Sequence, residues 1–200
     1  MLPATLSRLI NATLYQLGWF CCVLGAAWGA PLTGALLALL LLALHLLLAG
    51  ERGAELRLML SACLLGVVID SSQQALGVLR FTTDAAWPLW LPLWVFVIWA
   101  QFATLFRYAL SWLSGRYLLA AAFGLFGGPL AYAGGVRLGA ARFNDDLAFS
   151  LLSLALVWAL VTPLLLWLSA RIEPRPGRYR FLFARGKSSP TSEGPSTAGA

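Results

Sequence analysis

The stretch Leu58–Leu79, LMLSACLLGVVIDSSQQALGVL, is long and apolar enough to cross a bilayer, yet it is interrupted by Asp70, Ser71, Ser72, Gln73 and Gln74. An ionisable group in the middle of such a segment costs about 3 kcal/mol or more unless it faces protein or water. Asp70 therefore marks a buried polar site or a polar packing contact. On a helix, Gly66, Asp70, Gln73, Gln74 and Gly77 share one face, which is expected to point into a bundle.

Composition places the whole chain in the same setting. Of 200 residues, 60% are hydrophobic and only 11% charged, and runs of about 20 apolar residues recur. The runs are too long for barrel strands and lack their alternation, so the fold class is all-α, a polytopic membrane helix bundle. A soluble core is excluded. The net charge of +6 does not indicate nucleic acid, because six of the fourteen basic residues lie in the last thirty positions.

Six transmembrane helices are expected. Leu9–Trp28 is the first; Gly25, Ala26 and Ala27 offer a signal-cleavage site, but the length and the residues Asn11, Tyr15, Gln16 and Trp19 favour a retained helix. Gly29, Ala30 and Pro31 make a turn, Leu32–Ala49 is the second span, and Gly50–Arg57 (GERGAELR) reads as a short charged loop before the Asp70 helix. Beyond Arg80–Asp84, the cluster Trp87, Pro88, Trp90, Pro92 and Trp94 opens a fourth span ending near Leu110. Tyr117–Val136 and Leu147–Leu168 complete the set. The domain thus covers 1–170, followed by a tail over 171–200 that is basic, then disordered.

Positive charge orients the threading. With the N terminus inside, Arg8, Arg52, Arg57, Arg107, Arg116 and the six basic tail residues make eleven on one side, against Arg80, Arg137 and Arg142 on the other. Both termini are therefore expected to be cytoplasmic. The basic part of the tail, with Tyr179, Phe181, Leu182 and Phe183, suits contact with an anionic leaflet.

At 1.5 Å per residue, Asp70 lies roughly 13 Å below the end of its span at Leu79. Gly127, Gly128 and Pro129 of the fifth span fall at a similar level, Gln73, Gln74, Tyr132 and Ser153 slightly nearer the surface, and Trp19 and Trp94 approach from the first and fourth spans. These residues outline a candidate pocket in the outer half. Gly127, Ala131 and Gly135, and separately Gly124 and Gly128, form two ridges without bulk, and Pro129 removes a helix hydrogen bond beside them. A kink there would expose carbonyls to the pocket; a tightly packed helix pair is the alternative.

Other chemistry is easier to exclude. His45 is the single histidine and is expected near the cytoplasmic interface, so multi-histidine metal and haem sites are ruled out within one chain. Cys21, Cys22 and Cys63 lie in apolar runs without metal-ligand spacing. No phosphate loop, nucleophile elbow or zinc-protease motif is present. No catalytic residue, metal or cofactor is assigned.

Asn11, Tyr15 and the run Gln16-Leu17-Gly18-Trp19-Phe20, then Asp70-Ser71, Pro92-Leu93-Trp94, Gly127-Gly128-Pro129-Leu130 with Tyr132, and Arg137-Leu138-Gly139 together resemble an uncharacterised family of small bacterial inner-membrane proteins, domain of unknown function 2878. The resemblance covers roughly residues 9 to 170. It implies a multi-pass protein of the bacterial inner (cytoplasmic) membrane and brings no catalytic residue with it. Three functions remain open: handling of a small molecule or lipid at the Asp70 pocket, a non-catalytic subunit or scaffold for partner membrane proteins, and a membrane-embedded lipid-modifying enzyme. The partners expected are the lipid bilayer and either a second copy of the chain or another membrane protein.

Overall fold

The structure is a computed structural model that describes residues 1–83, 87 and 89–180. Six α-helices account for most of these residues: α1 (Ala4–Ala27), α2 (Pro31–Leu48), α3 (Arg52–Ala75), α4 (Leu93–Arg107), α5 (Tyr117–Leu138) and α6 (Leu147–Ile172). Two short strands, β1 (Leu79–Phe81) and β2 (Ala141–Phe143), pair antiparallel with Arg80 opposite Arg142. By length and composition, α1, α2, α5 and α6 are long and apolar enough to cross a membrane.

Burial is inverted relative to a soluble domain. Leu40, Val68, Leu118, Leu130 and Leu160 project outward, while Ser7, Asn11, His45, Glu55, Asp70, Gln73, Gln101, Thr104 and Arg107 are buried. Such a surface has its natural solvent in hydrocarbon, which forces polar atoms to find partners inside.

Helix α4 lies at the centre, packed against α1, α2, α3 and α6. Its sequence explains the position. Trp94, Val95, Val97, Trp99, Ala103 and Phe106 cover most of its circumference, and its one polar stripe, Gln101, Thr104 and Arg107, is buried as well, so no side of the helix calls for water. Pro92 precedes its first turn, where a missing N–H is harmless.

Neighbouring turns use local chemistry. Gly29 (φ 76°) and Pro31 at the start of α2 close the α1–α2 hairpin, in which a Cβ on Gly25 would come 2.7 Å from the Gly34 Cα. Gly139 (φ 100°) ends α5 in the left-handed conformation, and the Asp146 side chain caps α6 by accepting from Phe149 N at 3.0 Å.

Several expected boundaries need correction. Leu58–Leu79 is not one helix: α3 stops at Ala75, Gly77 turns with φ 70°, and Leu79 enters β1, so Asp70 is five residues, about 7.5 Å, from the helix end. The expected loop Gly50–Arg57 is mostly helix, because α3 begins at Arg52 and turns Glu55 inward. The fourth span, expected from Trp87 to Leu110, contracts to α4. Pro129 sits inside a continuous α5 rather than at a break. Asp84, Pro88 and the tail beyond residue 180 lie outside the described residues.

The end of the bundle where α3 begins carries a buried polar network. Arg107 meets Glu55 at 3.0 Å and Glu51 at 2.9 Å; Glu55 lies 3.3 Å from His45 Nε2, and His45 Nδ1 is 2.7 Å from the Tyr179 hydroxyl. Tyr179 was expected at a lipid surface but is fully buried, stacked on Tyr108 with centroids 4.6 Å apart. Its backbone N–H donates to Ser7 Oγ and its carbonyl accepts from Leu2 N, tying the segment after α6 to the N-terminal helix. Burial pushes the Tyr179 phenol above the ordinary tyrosine range, so it is neutral at physiological pH.

The two ridges of α5 face different neighbours. A Cβ on Gly124 would overlap the Trp158 carbonyl and the Thr162 hydroxyl, and one on Gly128 would overlap the Trp158 side chain. A Cβ on Gly127 would meet only the Phe123 ring at 3.7 Å, and one on Gly135 nothing within 4 Å. Gly124→Ala is therefore expected to lower stability by about 1–3 kcal/mol through overpacking, whereas Gly127→Ala leaves it unchanged, as read by thermal unfolding in detergent. In the same assay Glu55→Ala, which leaves the buried Arg107 only the half-exposed Glu51 as counter-charge, should cost about 1–3 kcal/mol. Glu51→Ala, at the half-exposed partner, should cost far less.

Candidate functional site

A cavity of about 210 Å³ lies between α4 and α5, with α1 and α6 as side walls. Asp70 reaches it from α3, the single carboxylate among its lining residues. Trp99 Nε1 donates to Asp70 Oδ2 at 2.7 Å, and the Tyr132 hydroxyl donates to Oδ1 at 2.7 Å. An indole N–H can only donate, so Oδ2 is an acceptor in this geometry, whereas a tyrosine hydroxyl can both donate and accept. A carboxylate has about four acceptor directions, so two remain for a further donor.

Aromatic rings form most of the wall. Trp99 and Trp158 stack with centroids 5.2 Å apart and planes within 15°. Phe102 stands edge-on to Trp158 at 5.3 Å, and Tyr132 is 6.0 Å from it at a tilt. Phe81 of β1 links Tyr132 to Trp94, with centroid separations of 6.4 and 5.4 Å. The Thr162 hydroxyl also lines the space and has no hydrogen-bond partner among the described residues.

The void exists because one face of α5 lacks side chains. Gly127, Ala131 and Gly135 line it, while Gly124 and Gly128 bring α5 close enough to α6 for Trp158 to form the adjoining wall. Helix α5 approaches α1 near the C-terminal ends of both, where Gly134 faces Trp19 and Gly139 faces Ala27. Phe123 and Ala131 line the cavity and are also exposed on the outside of the bundle, so the opening is lateral, between α1 and α5.

Of the residues singled out from the sequence, Asp70, Tyr132, Trp19, Trp94, Gly127, Gly128 and Gly135 all line this cavity. Pro129 does not. Gln73 is buried outside the cavity lining, with its Oε1 unpartnered among the described residues. Gln74 accepts from Phe81 N at 3.3 Å and donates to the Trp90 carbonyl at 3.2 Å, so it fastens β1 and the approach to α4 onto the end of α3. Trp94 makes a similar tie, donating from Nε1 to the Thr82 carbonyl at 3.1 Å.

Sequence reasoning missed Trp99 and Trp158, the two rings that shape the floor. A signal was available. Tryptophans in apolar helices concentrate at the interfaces, and these two sit in the middle of α4 and α6. Tyr15, Phe81 and Phe102 carried no comparable mark, because an aromatic residue in an apolar run is ordinarily packing.

The α3 acid, the α5 glycine ridges and Tyr132 all fall within the portion matched by a family model described as "Protein of unknown function (DUF2878)", which spans residues 8–164. No curated protein and no solved structure matches the chain. The matched portion runs from the first turns of α1 into α6 and takes in every lining residue of the cavity, so the chain belongs to the DUF2878 family of proteins of unknown function.

Proposed function

We propose that this protein is a six-span protein of the bacterial inner membrane, both termini cytoplasmic, which binds a small molecule or the end of a lipid in the cavity around Asp70. The observation that carries the reading is a carboxylate on the wall of a laterally open cavity, held by two donors and still offering acceptor directions. A volume of about 210 Å³ is below the several hundred Å³ typical of drug-sized ligands. It has room for a headgroup or a short chain whose remainder stays in the bilayer.

The inclusion of α3 and α4 among the spans follows from their packing. Helix α4 is only 15 residues long, about 22 Å, yet it is enclosed by protein and need not match the hydrocarbon thickness of about 30 Å. Helix α3 has 24 residues and turns its two acids inward, Glu55 at one end and Asp70 near the other, while Arg52 and Arg57 at its first turns are exposed and Leu60, Leu64 and Val68 face out.

Two measurements test this. Infrared difference spectra of the protein in nanodiscs, against Asp70→Asn, should show a carboxyl band whose titration midpoint moves when a membrane lipid extract is added. A band that ignores the extract would reduce Asp70 to a packing residue. For the threading, single cysteines at Asp145 and Ser114 in a cysteine-free background should respond oppositely to an impermeant thiol reagent on intact cells. Labelling of Asp145→Cys alone supports the orientation, and labelling of Ser114→Cys alone reverses it.

A further inference from the structure

The chain treats its two buried acids differently. Glu55, at the end where α3 begins, is closed off by Arg107 and by His45. Asp70 has only neutral partners, Trp99 and Tyr132, and among the described residues no basic side chain pairs with it. The basic residues nearest that end of the bundle, Arg80, Arg137 and Arg142, are exposed. A buried charge without a counter-charge is the costly state, and it marks a place where the counter-charge arrives from outside.

The wall decides what kind of counter-charge. Trp99 and Tyr132 hold the carboxyl group, Trp158 and Phe102 continue the aromatic wall beside them, and the negative faces of aromatic rings attract organic cations. An anion would be repelled by Asp70. A sugar or peptide would find too few donors and acceptors on an almost wholly aromatic and aliphatic wall. A neutral hydrocarbon chain would leave the free acceptor directions of Asp70 pointing into apolar atoms. The lateral opening favours a ligand that partitions into the bilayer first.

We infer that the cavity between α4 and α5 is a site for the ammonium group of a hydrophobic amine or quaternary ammonium compound, with Asp70, oriented by Trp99, as counter-ion and Tyr132, Phe102 and Trp158 as the aromatic wall beside it. The inference rests on the reading of this cavity as a binding site and names the chemical class it takes.

The test compares benzyltrimethylammonium with its uncharged carbon isostere, neopentylbenzene, titrated into the full chain in nanodiscs and read by calorimetry and tryptophan fluorescence against empty nanodiscs. The cation is expected to bind at least about tenfold more tightly than the isostere. Asp70→Asn should weaken the cation at least about tenfold and leave the isostere unchanged. Gly127→Leu, which fills the void without touching Asp70, should abolish both and guards against an Asp70 variant that fails to fold. Equal affinity for the two compounds, or a cation affinity that survives Asp70→Asn, overturns the cation assignment while leaving the cavity a binding site. Absence of binding by either compound to the unaltered protein overturns the cavity reading as well.

Discussion

A helix of 15 residues is too short to cross hydrocarbon alone, and placing α4 at the centre of the bundle removes that requirement. Everything else is arranged to cover it. The α1–α2 hairpin closes one side through the Gly25–Gly34 approach, α3 and α6 close two more, and the connection leading to α4 is fastened by Gln74 and Trp94. The strands β1 and β2 join the loops that precede α4 and α6, with Ser150 donating to the Val78 carbonyl and Asn144 to that of Gly77. Where α5 faces α4, the covering is incomplete, and that gap is the cavity.

Polar groups inside this bundle sort by depth and by completeness. At the end where α3 begins, Arg107, Glu51, Glu55, His45 and Tyr179 bind the second, third and fourth helices to the segment following the sixth. Asn11 adds the first, donating to Thr104 Oγ1 and accepting from Ala109 N. Most charges there have an opposite within reach, as a buried structural network requires. Near the other end, Asp70 has dipoles but no cation. The first arrangement is a clamp between opposite charges, whereas the second holds its acid by two neutral aromatic partners, Trp99 and Tyr132.

Glycine serves two ends on a single helix. Gly124 and Gly128 allow the backbone of α5 to approach Trp158, which is the ordinary use of small residues between membrane helices. Gly127 and Gly135, one step around the same helix, face open space. One ridge makes contact and the other makes room, and Pro129 between them is absorbed without ending the helix.

By itself the sequence determined the class, through apolar runs that only hydrocarbon or a bundle interior can accommodate, and it placed Pro31–Leu48 and Tyr117–Leu138 to within two residues, but Ala4–Ala27 only at its C-terminal end and Leu147–Ile172 only at its N-terminal end, where Gly or a capping Asp marks the boundary. It also marked Asp70, Tyr132, Trp19 and the glycine ridges, because polarity and missing bulk in such runs are visible one residue at a time. The tertiary structure decided what depends on partners. Glu55 and Arg52 read as loop until Arg107, more than fifty positions away, draws Glu55 into a helix. Leu79 reads as helix until Phe143 pairs with it as strand. Tyr179 reads as a surface residue until His45 and Tyr108 receive it. Only the fold sets Trp99 and Trp158 face to face beside Asp70, since ring stacking is a relation between helices that periodicity along one chain segment does not encode.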